Sequence, residues 1–285
     1  MTLKQMMAAG CMAALGTAAM ADGHDGKVKV GMITTLSGGG AGLGIDVRDG
    51  FMLAAKGNEA LELVIEDDQR KPDIAVQLAD KLIQSEKVDV MTGIIWSNLA
   101  MAVVPAATAQ GKFYLSPNAG PSALAGRGCH KNYFNVSWQN DAFSEAAGAY
   151  LSAQGVGKVF LMAPNYPAGQ DMMKGFKRFF SGEVTDEVYT KLGQTDYAAE
   201  IAQIRASDAD QVYFFLPGGM GISFMKQFAG SGVDKPVAGP AFSFDQGILG
   251  AIGEAALGVK NTAHWSKDLD VPGNAEFVAN FEAEY

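Results

Sequence analysis

Few residues in this chain could do chemistry, and their spacing points to holding a ligand, not transforming one. Ser97 follows Trp96 at the end of the apolar run Val90–Ile95 and opens a helical pattern over Ser97–Ala109, with Ala100, Met101, Val104 and Thr108 on one face. A hydroxyl there can cap the helix, or it can join the free N–H groups in binding an anion. A second apolar run, Phe113–Leu115, ends in Ser116-Pro117-Asn118-Ala119-Gly120. Neither strand end carries a His, a Cys or a carboxylate. The two ends therefore read as a binding wall without nucleophile, acid or base. His24, His130 and His264 are scattered without metal-ligand spacing, and no metal or cofactor is expected. Asp67-Asp68 reads as a polar strand end more than as an acid pair.

The elements that must position these residues repeat. Lys27–Thr35 is a strand that runs into a glycine loop, Leu36–Gly44. No window of the loop fits G-x-G-x-x-G or the phosphate-binding G-x-x-x-x-G-K-[ST] pattern. It reads instead as a turn presenting N–H groups at the start of a helix, Ile45–Lys56. Leu61–Glu66 is a strand, and Pro72 opens a helix whose rows are Ile74, Leu78, Leu82 and Ala75, Ala79, Ile83. Tyr133–Trp138 is extended and leads to a helix, Ala142–Ala153, capped by Asp141. The alternation then restarts. Strands are expected at Lys158–Met162, Glu183–Tyr189, Gln211–Leu216, Val237–Gly239 and Gly258–Ala263. Helices are expected at Gly169–Phe180, around Tyr197, Ile201 and Ile204 with Thr195 as cap, at Ile222–Ala229 and from Asn274. Such alternation implies parallel sheets covered on both faces, here in two lobes with a cleft between them.

Composition narrows the setting. The chain has 285 residues and a formal charge of −9. Lys4, the run Met6–Met20 and Ala19-Met20-Ala21 form a secretory signal peptide, residues 1–21, with a cleavage site. Removing it takes away one positive charge, Lys4, and leaves −10. An acidic exported protein is a poor partner for nucleic acid. Cys129 is then the lone thiol, expected as a buried small hydrophobe.

The order of KVKVGMITTLSGGGAGLG, VIEDDQRKPDIAVQLADKLI, TGIIWSNLAMAV and YLSPNAGPSALAGRG resembles the type I periplasmic solute-binding proteins of the branched-chain amino acid ABC-transport class. The resemblance spans the mature chain. It implies two Rossmann-like lobes joined by hinge strands: residues 26–137 with 259–285 as lobe one, and 138–258 as lobe two. It also implies further lobe-one helices and a third crossing beyond Tyr285, and ABC-transporter permease subunits as partners in the periplasm. Carried over position by position, the ligand contacts fall on Leu43, Trp96, Ser97, Asn118, Ala119 and Gly120 in lobe one. In lobe two they fall on Asn165, Tyr166, Pro217, Gly218, Ala241 and Phe242. In the amino acid binders Gly120 is a threonine, and a carboxylate for the ligand ammonium follows the Gly-Pro pair, where Ala241 stands here. Both changes make room in the implied site.

On this basis the expected function is capture of a small organic acid, such as an aromatic carboxylate, with no catalysis. The alternatives are a branched-chain or other amino acid binder, with Asp245 supplying the missing charge, or an exported ligand-sensing receptor domain. A nucleotide-dependent enzyme lacks its glycine fingerprint. Trp96 could equally be core, Tyr166 a loop residue, and Trp265 and His264 ordinary core or surface near a hinge.

Overall fold

A computed structural model describes residues 26–285, so the expected export segment lies outside the described residues. The first unit contains β1 (Val28–Thr34), α1 (Ala41–Ala55), β2 (Leu61–Asp67), α2 (Pro72–Asp80), β3 (Val90–Thr92), α3 (Ser97–Ala109), β4 (Phe113–Ser116), α4 (Ser122–Ala125) and β5 (Tyr133–Asn135). The second contains α5 (Asp141–Ala153), β6 (Lys158–Pro164), α6 (Pro167–Phe179), β7 (Glu183–Thr190), α7 (Ala198–Ala206), β8 (Gln211–Phe214), α8 (Gly219–Gly230), β9 (Val237–Pro240), α9 (Gln246–Ile252) and β10 (Lys260–Thr262). A last helix, α10 (Asn274–Glu284), returns to pack on α1.

Each unit carries a five-stranded parallel sheet. The orders are β2-β1-β3-β4-β5 and β7-β6-β8-β9-β10. They are the same topology used twice, each with its order reversing beside the first strand. In open α/β sheets, ligands bind outside the carboxyl ends of the strands at that reversal. Here the reversals fall between β1 and β3 and between β6 and β8.

The central strands are buried on both faces, as their unbroken apolar runs require: Val159 to Met162 in β6 and Val212 to Phe214 in β8 have no exposure. Helix α6 shows the complementary pattern. Met172, Met173 and Phe176 face inward, and Lys174, Lys177 and Arg178 face out. Pro167 starts that helix at a position where its missing N–H costs nothing.

Several expectations need correcting. The strand Lys260–Thr262 pairs with β9 at the edge of the second sheet, so within 259–285 it is α10 that packs on the first unit. Helix α1 begins at Ala41, inside the glycine loop, after a tight turn at Gly38–Gly40. Asn140, not Asp141, is the residue before α5, and Tyr197, not Thr195, precedes α7. The short helices α4 and α9 were not expected. Cys129 is exposed, because it sits in the polar turn between α4 and β5, where its N–H donates to the Gly126 carbonyl.

Phe224 marks the second core: fully buried, it packs on Tyr197, Phe214 and Phe228. Phe224→Ala should cost about 3–5 kcal/mol of unfolding free energy in urea, the usual loss for emptying an aromatic core position.

Candidate functional site

The carboxyl ends of the two sheets face each other, and a narrow cleft lies between them. Leu43, Trp96, Ser97, Asn118 and Ala119 line it from the first unit, and Tyr166, Pro217 and Phe242 from the second. These are sequence-expected positions that the fold brings together. Gly120, Asn165, Gly218 and Ala241 are outside the lining. Asn165 is exposed and accepts from Gln170, the Gly218 N–H donates to the Phe242 carbonyl, and Ala241 opens a tight turn behind the wall. Sequence reasoning missed Ile95, Trp138, Asn140, Ala168, Met172 and Phe215. The phase of the apolar face of α6 could have found Ala168 and Met172; no motif marks Asn140.

Ser97 is the first residue of α3 and is buried, with Trp96 in the capping position. Its hydroxyl makes no capping bond. Instead it accepts from Asn140 Nδ2 at 3.1 Å. The first N–H engaged in the helix is that of Ala100, which donates to Trp96 O, so the N–H groups of Ser97, Asn98 and Leu99 have no partner in the helix. A hydroxyl whose oxygen already accepts keeps its own hydrogen for another acceptor. The N-terminal dipole favours a negative one.

Gly120 does not open space in the cleft. A Cβ there would lie 2.0 Å from the Trp138 carbonyl, so glycine is required by the crossing chain. Its N–H donates to Asn140 Oδ1 and its carbonyl accepts the Asn140 N–H. Asn140 Nδ2 also donates to Asp171 Oδ2 at 3.0 Å, and the same oxygen accepts the Ser122 N–H at 3.0 Å.

Aromatic rings form the remaining walls. Trp96 and Tyr166 lie 6.2 Å apart across the cleft, and Tyr166 stacks on Phe215 at 6.2 Å. Trp138, Phe143, Phe242 and His264 cluster at the crossing, with Trp138 and His264 4.5 Å apart. Burial lowers the His264 pKa, so its ring stays neutral at neutral pH. Burial likewise raises the Tyr166 phenol, with Asp171 adding to the shift and Arg70 opposing it. Trp265 packs on Phe277 of α10, away from the cleft.

The walls are close. The Gly39 carbonyl comes within 3.3 Å of where a Cβ on Gly218 would stand. The cavity left between the lobes is about 20 Å³. That suits one water, so an organic ligand needs the lobes or their rings to part.

Behind Trp96 the acid pair has a structural role. Trp96 Nε1 donates to Thr35 Oγ1 at 3.0 Å, and Thr35 donates to Asp68 Oδ1 at 2.6 Å. Asp68 Oδ1 also accepts the Arg70 N–H, and Asp67 Oδ1 accepts those of Leu36 and Gln69. Burial raises the Asp68 carboxyl above its usual value, against the bonds from Thr35 and Arg70. Gln69 and Arg70 take φ of 52° and 58°. Left-handed backbone at non-glycine residues costs about 1 kcal/mol or more each, so the two aspartates compensate for a strained turn.

Asp245 does not line the cleft. It caps α9, accepting the Ile248 N–H at 3.0 Å. Burial raises its pKa to about 6, opposed by that bond and reinforced by the charge of Asp46. The folded state therefore binds this proton more tightly than the unfolded chain does. The group costs stability as pH rises from about 4 to about 6. Asparagine caps equally well without the charge. Asp245→Asn should gain about 1–2 kcal/mol at pH 7.5 and nothing at pH 4, read as melting temperature against pH.

Comparison with known proteins agrees with this geometry. The model of the family "Periplasmic binding protein" matches residues 27–285. A Leu/Ile/Val-binding protein homolog 6 of Brucella melitensis is 30% identical over 267 residues, covering 88% of this chain and 67% of that protein. A solute-binding protein of an ABC transporter from R. palustris, solved with benzoate, superposes with a TM-score of 0.87 at 34% identity, over 91% of this chain and 74% of its own. Another from R. palustris, solved with 4-hydroxybenzoate, gives 0.83 at 26% identity, over 90% and 73%.

Proposed function

The chain belongs to the periplasmic binding protein family, and we propose that it captures a small aromatic carboxylate in its cleft for delivery to the permease subunits of an ABC importer. The observation that carries this is Ser97. Its hydroxyl oxygen is already taken by Asn140, at the N-terminus of α3, and rings stand on either side. A ligand carboxylate would accept the Ser97 O–H and the first-turn N–H groups, and its ring would lie among Trp96, Tyr166 and Phe215. The structures solved with benzoate and 4-hydroxybenzoate support the ligand class.

The cleft lining, among the described residues, contains no Asp or Glu. A buried ammonium without a partner is costly, which argues against a zwitterion. The name of the Brucella relative keeps the branched-chain amino acid reading as the alternative. In this reading the protein works outside the cytoplasm and transforms nothing. No described helix is long and apolar enough to cross a membrane.

The ligand would enter by hinge opening. The moving bodies we propose are residues 26–137 with α10, and residues 138–262, turning about the crossings near Asn140 and His264.

Calorimetric titration with benzoate, 4-hydroxybenzoate, leucine, isoleucine and phenylalanine tests the ligand class. Binding of the benzoates alone is expected; tight leucine with silent benzoates would overturn it. Ser97→Ala should weaken benzoate by about 1.5–3 kcal/mol, the range for a hydrogen bond to a charged group. Radius of gyration from X-ray scattering should fall on saturation with the ligand.

A further inference from the structure

Arg70 is outside the cleft lining, yet it touches both lobes. Its guanidinium carbon lies 5.4 Å from the centroid of the Trp96 ring on the first lobe. Its Nη2 lies 2.8 Å from where a Cβ on Gly193 would stand, and Gly193 belongs to the turn after β7 on the second lobe. Among the described residues, no carboxylate is within ion-pair distance of this guanidinium; the arginines so paired are Arg48 and Arg178. The side chain is half-buried.

The turn that aims it is built at some cost. Gln69 and Arg70 both stand in left-handed conformation, held by Asp67 and Asp68 through their N–H groups. The same Asp68 oxygen ties to Thr35, and Thr35 to Trp96. The ring and the cation above it are therefore positioned by one carboxylate. Opposite, Gly193 takes φ of 86°, a conformation that suits glycine, and its missing Cβ is what lets the guanidinium approach.

We propose that Arg70 is the latch of the cleft. Held over the Trp96 ring, its guanidinium seats against the Gly193 turn when the lobes close and holds them together over a bound anion. The latch rests on the cleft described above; only the anion rests on the carboxylate reading. A contact made in the closed state alone shifts the open–closed equilibrium toward closure. It should therefore act on ligand release more than on encounter. A planar guanidinium over an indole face is stronger in this role than an ammonium.

The test measures the lobe-to-lobe distance directly. In a Cys11→Ser, Cys129→Ser background, spin labels at Glu59→Cys on lobe one and Asp234→Cys on lobe two report it by pulsed electron resonance, with and without benzoate. Arg70→Met should move the distribution toward longer distances in both conditions. Arg70→Lys should fall between it and the parent, and Gly193→Ala should resemble Arg70→Met. Stopped-flow release of benzoate should be roughly tenfold faster in Arg70→Met, with association within about threefold of the parent. Identical distance distributions in parent and Arg70→Met would overturn the latch. So would weaker benzoate binding with unchanged distances, which would make Arg70 a simple electrostatic attractor. If the parent binds no benzoate, the carboxylate reading fails, and the ligand-free distances still decide the latch.

Discussion

The cleft depends on one side-chain amide, that of Asn140. Its Oδ1 accepts the Gly120 N–H at 3.3 Å, and the backbone N–H of the same residue donates to the Gly120 carbonyl at 2.8 Å. Its Nδ2 donates to Ser97 on one lobe and to Asp171 on the other. A single buried residue at the crossing thus fixes the chain that joins the lobes, orients the hydroxyl at the α3 terminus and grips the second lobe. Such a network is stable only when every member is satisfied, so its parts are constrained together. Gly120 cannot carry a side chain, because the crossing backbone occupies that space.

The two parallel sheets then make the cleft possible. Parallel strands put all their carboxyl ends on one side, and doubling the topology gives two such sides that can be set face to face. Loops at these ends are free to carry small or aromatic residues, since the strands behind them supply the stability. Trp96 illustrates the division of labour. Its ring lines the cleft, while its N–H is satisfied by Thr35 at the end of β1, so the polar edge of the ring needs no ligand.

Much of this was legible in the sequence. The bounds of α3, Ser97–Ala109, follow from its apolar period and from the strand before it, and the structure has the same bounds. The double β-α alternation follows from short apolar runs separated by amphipathic ones. Where reading failed, the cause was physical. Asn140 sits in a polar stretch, Gln139-Asn140-Asp141, that any helix start could contain, and its partners are distant in sequence. Arg70 follows a polar strand end, and nothing in Asp67-Asp68-Gln69-Arg70 announces consecutive left-handed residues. At Gly120 a missing side chain looks like space in the sequence, whereas in the fold backbone fills it. Lys260–Thr262 is too short and polar to reveal which sheet it joins.

Charge distribution gives the cleft its direction. Asp171 is the acid tied most directly to the site, and its Oδ2 already takes the Asn140 amide and the Ser122 N–H. Asp245 is turned to the cap of α9, and Ala241 brings no charge. On the opposite side stand a helix N-terminus and the Ser97 hydroxyl hydrogen. A ligand with charges of both signs would gain at its carboxylate and lose at its ammonium; a simple anion gains without that loss. The rings add area without sign. In the proposed reading, selectivity therefore comes from how the carboxylates are already engaged in holding the fold, while the Ser97 hydroxyl and the first N–H groups of α3 remain for the ligand.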